Sequence, residues 1–287
     1  MTVFVTAATG QLGRLVVASL LDKIPADEVV AGVRSLEKAT DLVELGVQVR
    51  LFDYSRPETL RPALAGVQRL LLISSSDLGV LRVDQHQAVI DAAKDAGVGL
   101  LAYTGVLGGD AATFALAQDH IATEAAIRAS GLPFVFLRHG WYTENYTAQL
   151  DTYLEYGVVA GSSGDGRVAS AERRDYAEAA AAVLTGPGHE NQVYELSGDH
   201  AWSFSEFAAE VAVDSGRPVA YRDLDPQDHL KVLLGAGLPE PFAEVLVDVD
   251  AGIGRGELAA TPGDLARLIG RPTTPMPDSV RTALRSR

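Results

Sequence analysis

The 287-residue chain contains no cysteine, which excludes disulfides, thiol nucleophiles, thiolate zinc sites and cysteine-ligated iron–sulfur clusters. Lysine is scarce. It occurs only at Lys23, Lys38, Lys94 and Lys231, and none of these lies four residues after a tyrosine. The Tyr-x-x-x-Lys pair that protonates an unactivated ketone during reduction is therefore absent, because the alkoxide being formed would lack its donor. The histidines His86, His120, His139, His189, His200 and His229 form no HxH pair, and His189-Glu190 has no second histidine to complete HExxH. No metal is expected. Basic runs are missing as well, and with a net charge of −14 the chain shows no footprint for a nucleic-acid backbone. The longest apolar stretches, 70–73 and 177–184, fall far short of the ~20 residues needed to cross a bilayer. The N-terminus has no basic segment and no small-residue cleavage site. The expectation is a cytoplasmic protein with no membrane partner.

What is present has the balance of a packed body: 47% apolar against 22% charged residues, enough to build a core. Short β-rich apolar runs at 3–6, 29–33, 47–52, 70–74, 100–104 and 134–137 alternate with helical stretches after Gly10, after Ser35, over 57–64, over 84–96 and over 113–130. Such alternation marks βαβ units. The fold class expected is α/β, a doubly wound parallel Rossmann-type sheet with a smaller, helix-rich C-terminal lobe. Residues 1–150 form the nucleotide-binding part, which also receives a portion of 168–200, and residues 151–287 form the smaller lobe. Beyond the SSGDG loop at 162–166, one further strand is expected at 193–196. Frequent glycine and proline after 234 then read as short helices joined by turns.

Directly after the first strand runs Thr6-Ala7-Ala8-Thr9-Gly10-Gln11-Leu12-Gly13, opening into a helical stretch. A loop of this kind brings backbone amides and a helix N-terminus to a pyrophosphate. Ala7 replaces the first glycine of the usual GxxGxxG spacing, which the turn tolerates if φ stays negative there. The second strand ends not in the acid that holds a free ribose but in Arg34, with Lys38 one turn on. A planar guanidinium suits a 2′-phosphate, so NADP(H) is expected in preference to NAD(H). Asp53 and Tyr54, past the third strand, either flank the adenine or form an Asp-led turn. Ser74, Ser75 and Ser76, past the fourth, stand at the carboxyl edge where such sheets bind ligands, though serines also form turns.

Without a Tyr/Lys pair, the acceptors that remain are electron-poor ones, such as quinones or delocalised cations, for which positioning carries most of the rate. His120 is a candidate donor of a proton or hydrogen bond, or else a core histidine. Trp141, Tyr142 and Asn145, with Tyr146, lie past the sixth strand, where a substrate pocket belongs, although packing between lobes would also place aromatics there.

A set of local patterns carries a resemblance: Thr9-Gly10-Gln11-Leu12-Gly13, Val33-Arg34, Leu71-Leu72-Ile73-Ser74, Ala102-Tyr103-Thr104, His120-x-x-Thr123-Glu124, and Leu137-Arg138-His139-Gly140-Trp141-Tyr142-x-Glu144-Asn145. Ala169-Ser170-x-x-Arg173-x-Asp175-Tyr176, Gly188-His189-Glu190 and Ile269-Gly270-Arg271-Pro272-Thr273 extend it across nearly the whole chain. Together they resemble the NmrA-like branch of atypical short-chain dehydrogenases, and within it the quinone and triphenylmethane dye reductases. The resemblance implies flavin-free hydride transfer from NADPH to a quinone-like acceptor held between the nucleotide domain and the small lobe. It also implies that the 6–12 loop, Arg34, Ser74–Ser76, Tyr103, Thr104, Arg138, His139, Gly140 and Arg173 face the cofactor. The sequence departs from the pattern at Ala7, at Gly105, where serine is usual, and at His139, where asparagine is usual. The branch also contains NADP(H)-binding redox sensors that act through a protein partner, so an enzyme and a sensor both fit. A homo-oligomer is compatible with either. If Arg34 reads the 2′-phosphate, Arg34→Ala raises the Michaelis constant for NADPH far more than that for NADH; equal effects in paired steady-state assays would refute the assignment.

Overall fold

The computed structural model describes residues 1–287. Its strands are β1 (Val3–Val5), β2 (Val29–Val33), β3 (Gln48–Leu51), β4 (Arg69–Leu72), β5 (Leu100–Val106), β6 (Phe134–His139), β7 (Val158–Gly161), β8 (Arg167–Val168), β9 (Gln192–Leu196), β10 (Trp202–Ser203) and β11 (Ala220–Asp223). Seven of them form one sheet in the order β3-β2-β1-β4-β5-β6-β9, with every neighbouring pair parallel. This is the doubly wound α/β arrangement expected, extended by β9 at its far edge. The order reverses between β1 and β4, and in sheets of this kind the ligand crevice lies outside the carboxyl ends of the strands at that reversal.

Burial on both faces explains the near-continuous apolar runs of the central strands. In β1, Val3 and Val5 point into one core with Leu12, Val16 and Leu20 of helix Gln11–Leu21 and with Ala177, Ala180 and Leu184 of helix Arg173–Thr185. Phe4, between them, points into the opposite core with Val89, Ile90 and Ala93 of helix Val80–Ala96 and Ile127 of helix Ala115–Ser130. Helix Val80–Ala96 starts four residues before the expected 84, because its exposed first turn (Val80, Leu81) lacks the apolar periodicity that marks the rest.

A third core lies outside the sheet. Tyr146, Trp202, Phe204 and Phe207 meet there edge-on and stacked, with centroids 5.1–6.0 Å apart. Helices Phe204–Ser215, Glu240–Gly254 and Met276–Arg285 contribute to it, and helix Pro226–Gly235 packs on Glu240–Gly254. The smaller lobe is helix-rich as expected, but it also holds two strand pairs that the sequence did not announce, β7 with β11 and β8 with β10. Strands of two to four residues are too short to display alternation, so only the tertiary pairing defines them.

Inside this lobe Asp250 is buried. It accepts hydrogen bonds from the Ser162 amide (2.7 Å) and hydroxyl (3.5 Å), with His229 Nδ1 at 3.4 Å. Burial raises the Asp250 carboxyl to about 6 and lowers His229 below its ordinary range. Because the folded pKa of Asp250 exceeds its unfolded value, the ionised carboxylate destabilises the fold fully above pH 6, and the cost fades as pH falls towards 4. His229 acts in the opposite sense, withdrawing stability as pH falls below its unfolded value. Asp250→Asn keeps an acceptor for Ser162. It is expected to stabilise the protein by about 2 kcal/mol at pH 8 and by almost nothing near pH 4, as read from urea unfolding at both values.

Candidate active site

The loop after β1 is built for an anion. Helix Gln11–Leu21 begins at Gly10, which offers no side-chain cap, and its first turn carries no acid. The amides of Gln11, Leu12 and Gly13 find no acceptor within the chain, leaving the positive end of the helix open at the crevice. Gly13 is obligatory: a Cβ there would stand 2.3 Å from the Ala7 carbonyl oxygen and 2.8 Å from Ala8 Cα. Ala7 does not keep the negative φ that its side chain prefers. It adopts φ +48°, the left-handed conformation of the glycine it replaces, and from there its carbonyl receives the Gly10 amide at 2.8 Å.

The loop residues divide by exposure. Gly10 and Gln11 are exposed and Ala7 and Thr9 half-buried, whereas Thr6, Ala8 and Leu12 are enclosed. Thr6 Oγ1 accepts the Ile73 amide (2.9 Å) and donates to the Tyr54 hydroxyl oxygen (2.5 Å), so this side chain pins β1 to β4 instead of reaching outward. Tyr54 donates to the Ile73 carbonyl, and burial pushes its hydroxyl well above the ordinary range. Asp53 resolves as the turn former, its carboxylate accepting the Ser55 amide at 3.0 Å. Arg34 and Lys38 are exposed, with no hydrogen-bond or ion-pair partner on either side chain. Arg14 bridges the two halves of this corner, bonding the Thr9 carbonyl (3.2 Å) and the Lys38 carbonyl (3.1 Å) while pairing with Asp41.

After β4, side chains from three elements hold the serine segment. The Ser74 amide donates to Thr104 Oγ1 (2.9 Å), the Ser75 amide to His86 Nε2 (2.9 Å), and the Ser75 hydroxyl to Gln85 Oε1 (2.5 Å). Arg82 Nε bonds the Asp77 carbonyl, and Asp119 receives the Gly79 amide. Ser75 and Thr104 therefore shape the crevice floor, while Ser76 stays exposed. Sequence reasoning did not find Arg82, Gln85 and His86. Their signal was present: buried polar residues at i, i+3 and i+4 on the stripe that continues with Val89, Ile90 and Ala93.

The far side of the crevice brings together His120, His139, Tyr142, Asn145 and Arg173. His120 Nδ1 lies 2.7 Å from the Tyr103 hydroxyl, whose ring is fully buried, so Tyr103 meets His120 and not a ligand. His139 stacks on Tyr176 (4.3 Å, 25°) and meets the Tyr142 hydroxyl at 3.0 Å, while its Nε2 is enclosed with no partner in the chain. Gly140 packs closely against β9, where a Cβ would meet the Leu196 carbonyl at 3.3 Å. Arg173 covers the Tyr142 ring at 4.4 Å and donates to Asn145 Oδ1 at 2.8 Å. Trp141 is half-buried and packs against the core of the smaller lobe. Arg138 departs from the expectation of a cofactor contact. Its guanidinium is gripped by Glu124 (2.6 and 2.8 Å) and Glu195 (2.8 Å), with Gly109 closed over it, and the Glu124 hydrogen bonds hold it firmly protonated. It braces β6 against helix Ala115–Ser130 and β9.

Burial lowers all three histidines near the crevice, His86 and His139 to about 3 and His120 well below its ordinary value; the Arg82 charge lowers His86 and His120 further. They are neutral imidazoles at pH 7. His120 thus offers a hydrogen bond and not an imidazolium proton. The Tyr142 hydroxyl, raised to about 12 by burial, also stays protonated. No group of three or more histidine, aspartate or glutamate side chains is arranged to hold a metal ion.

The site's residues fit a nicotinamide dinucleotide: open amides at a helix N-terminus, a backbone approach that only Gly13 permits, and unpaired cations beside the end of β2. Comparison with known proteins shows the NAD(P)H-binding family. The family described as NAD(P)H-binding matches residues 7–187. Quinone oxidoreductase 2 of Escherichia coli is 47% identical over 276 residues, which cover 96% of each chain. The crystal structure of the NADPH-dependent quinone oxidoreductase from E. coli in complex with NADPH superimposes with a TM-score of 0.96 at 46% identity, covering 99% of this chain and all of that one. That of Citrobacter sp. triphenylmethane reductase with NADP(H) gives 0.94 at 41%, covering 98% of this chain and 100% of that one.

Two substitutions probe the loop in opposite directions. Ala7→Gly relieves the left-handed strain and is expected to raise stability by about 1 kcal/mol in thermal or urea unfolding. Gly13→Ala forces the helix off the loop. It is expected to weaken NADPH binding by at least about tenfold in titration calorimetry, since the amides move with the helix.

Proposed function

The chain belongs to the NAD(P)H-binding family of NmrA-like oxidoreductases, and we propose that it transfers a hydride from NADPH, without a flavin, to a quinone or similarly electron-poor acceptor. The arrangement that carries the reading is the open amide cluster of Gln11, Leu12 and Gly13 in line with unpartnered Arg34 and Lys38, which together suit a pyrophosphate and a 2′-phosphate. The activities named for the E. coli and Citrobacter relatives support the acceptor class.

When bound, the reduced dinucleotide supplies the hydride. The chain's residues hold and orient. Residues 1–150, with part of 168–200, carry the dinucleotide, and the lobe formed by 151–287 closes the acceptor side. The Nε2 of His139 is enclosed and has no partner in the chain, and a carboxamide that reached it would supply one. Tyr142 and Asn145, fixed through Arg173, form the acceptor wall together with Trp141. His120 presents an uncharged imidazole, which suits an acceptor that needs polarisation but no strong acid. The absence of a Tyr/Lys pair fits the same class of acceptors.

The deciding assay mixes the purified protein with NADPH and a panel of benzoquinone, naphthoquinone and a triphenylmethane dye while nicotinamide absorbance is followed. Turnover of at least one acceptor, with NADPH favoured over NADH, is expected. Tight NADPH binding without turnover on any acceptor would make the protein a redox sensor instead. His120→Ala is expected to reduce quinone turnover by about a hundredfold, the usual cost of losing one donor to a developing oxyanion. Unchanged turnover would leave His120 structural.

A further inference from the structure

The hydrogen atoms around His120 can be assigned in order, starting from a backbone group whose role is fixed. The Ser75 amide donates to His86 Nε2 at 2.9 Å, so that nitrogen is an acceptor and the single proton of neutral His86 sits on Nδ1. This Nδ1–H donates to Thr123 Oγ1 at 2.9 Å, and the Thr123 hydroxyl hydrogen goes to the Asp119 carbonyl at 2.8 Å. Thr123, the other hydroxyl beside Tyr103, therefore has no hydrogen to offer it.

Tyr103 is fully buried, and its one well-formed hydrogen bond runs to His120 Nδ1 at 2.7 Å, with the Thr123 hydroxyl as its other polar neighbour. If His120 Nδ1 carried the proton, the phenol would accept and its own hydrogen would be left to the Thr123 oxygen, which lies outside hydrogen-bond geometry and already accepts from His86. The phenol must donate. Burial also pushes its ionisation far above the physiological range, so the donor is never lost. His120 Nδ1 then accepts, and the proton resides on Nε2. That nitrogen has no partner in the chain and is not fully enclosed. The groups acting on the imidazole are Arg82 and His86 from helix Val80–Ala96 and His139 from β6, while Asp119 and Glu124 of its own helix act on the Tyr103 phenol.

We infer that Tyr103 is a positioning residue: it locks His120 in the tautomer that directs a neutral Nε2–H at the acceptor's oxygen. This rests on the hydride-transfer reading above and adds a specificity to it. A quinone gains negative charge on oxygen as the hydride arrives, and a donor fixed in advance stabilises that charge. A triphenylmethane cation receives the hydride at carbon and becomes neutral. It has no oxyanion to stabilise. The Tyr103–His120 pair therefore separates oxygen-type from carbon-type acceptors within one site.

The test is Tyr103→Phe, assayed at saturating NADPH with 1,4-benzoquinone and with the dye crystal violet. The expected result is a fall of about tenfold in kcat for the quinone, with kcat for the dye and the KM for NADPH unchanged. Equal losses on both acceptors, or no loss on the quinone, would overturn the inference, since damage to the fold alone does not choose between acceptors. A second measurement does not depend on the variant folding. In ¹⁵N NMR spectra of the unmodified protein, His120 is expected to show a protonated Nε2 and an unprotonated Nδ1, and the reverse pattern would refute the assignment. If the unmodified protein reduces neither acceptor, the proposed function fails, and the spectra still decide the tautomer on their own.

Discussion

The structure depends on one backbone contact. Helix Gln11–Leu21 can lie against the end of β1 only because Gly13 places no Cβ against the Ala7 carbonyl and Ala8 Cα. That approach aims the helix N-terminus into the crevice at the strand-order reversal and lets Val16, Val17 and Leu20 reach the core formed with helix Arg173–Thr185. Packing and ligand geometry are thus one constraint. A loop that stood further out would lose apolar contact and would also present its amides at the wrong depth. Ala7 shows how strongly the constraint acts. The surrounding contacts hold an alanine in a conformation that costs on the order of 1 kcal/mol, because relaxing it would move the carbonyl that receives the Gly10 amide.

The crevice is otherwise governed by saturation of hydrogen bonds. Most polar groups beneath it are already paired: Thr6 with Tyr54 and Ile73, Ser75 with His86 and Gln85, Arg138 with Glu124 and Glu195. The groups left open are few. They are the helix amides, Arg34, Lys38 and His120 Nε2, with the enclosed His139 Nε2 beside them. A site built this way recognises ligands with little reorganisation, because the paired groups hold the open ones in place. It also explains why the histidines serve as neutral donors: the apolar packing that fixes them is what disfavours their charge.

Much of this was legible in the chain itself. The alternation of strand and helix and the glycine loop are local features, and they pointed the right way for the fold and for a family that binds NAD(P)H. The side-chain partners were not legible. Thr6, Ser75, Tyr103 and Arg138 all stand at or near strand ends, yet their side chains turn inward to partners that no local pattern names. Arg82 and His86 were overlooked because a polar residue on a buried helical stripe looks like a solvated one until the opposing surface is known.

The sequence by itself determined the doubly wound sheet and the place where a nucleotide lies, since periodicity and turn chemistry act over a few residues and repeat along the chain. Only the tertiary structure decided which donors remain free. Tyr103 meets His120 across 17 positions, His86 meets Thr123 across 37, and Arg138 meets Glu195 across 57. Hydrogen bonds over such separations form once the strands are stacked in order, and their pairing, not residue type, settles what each side chain can still do.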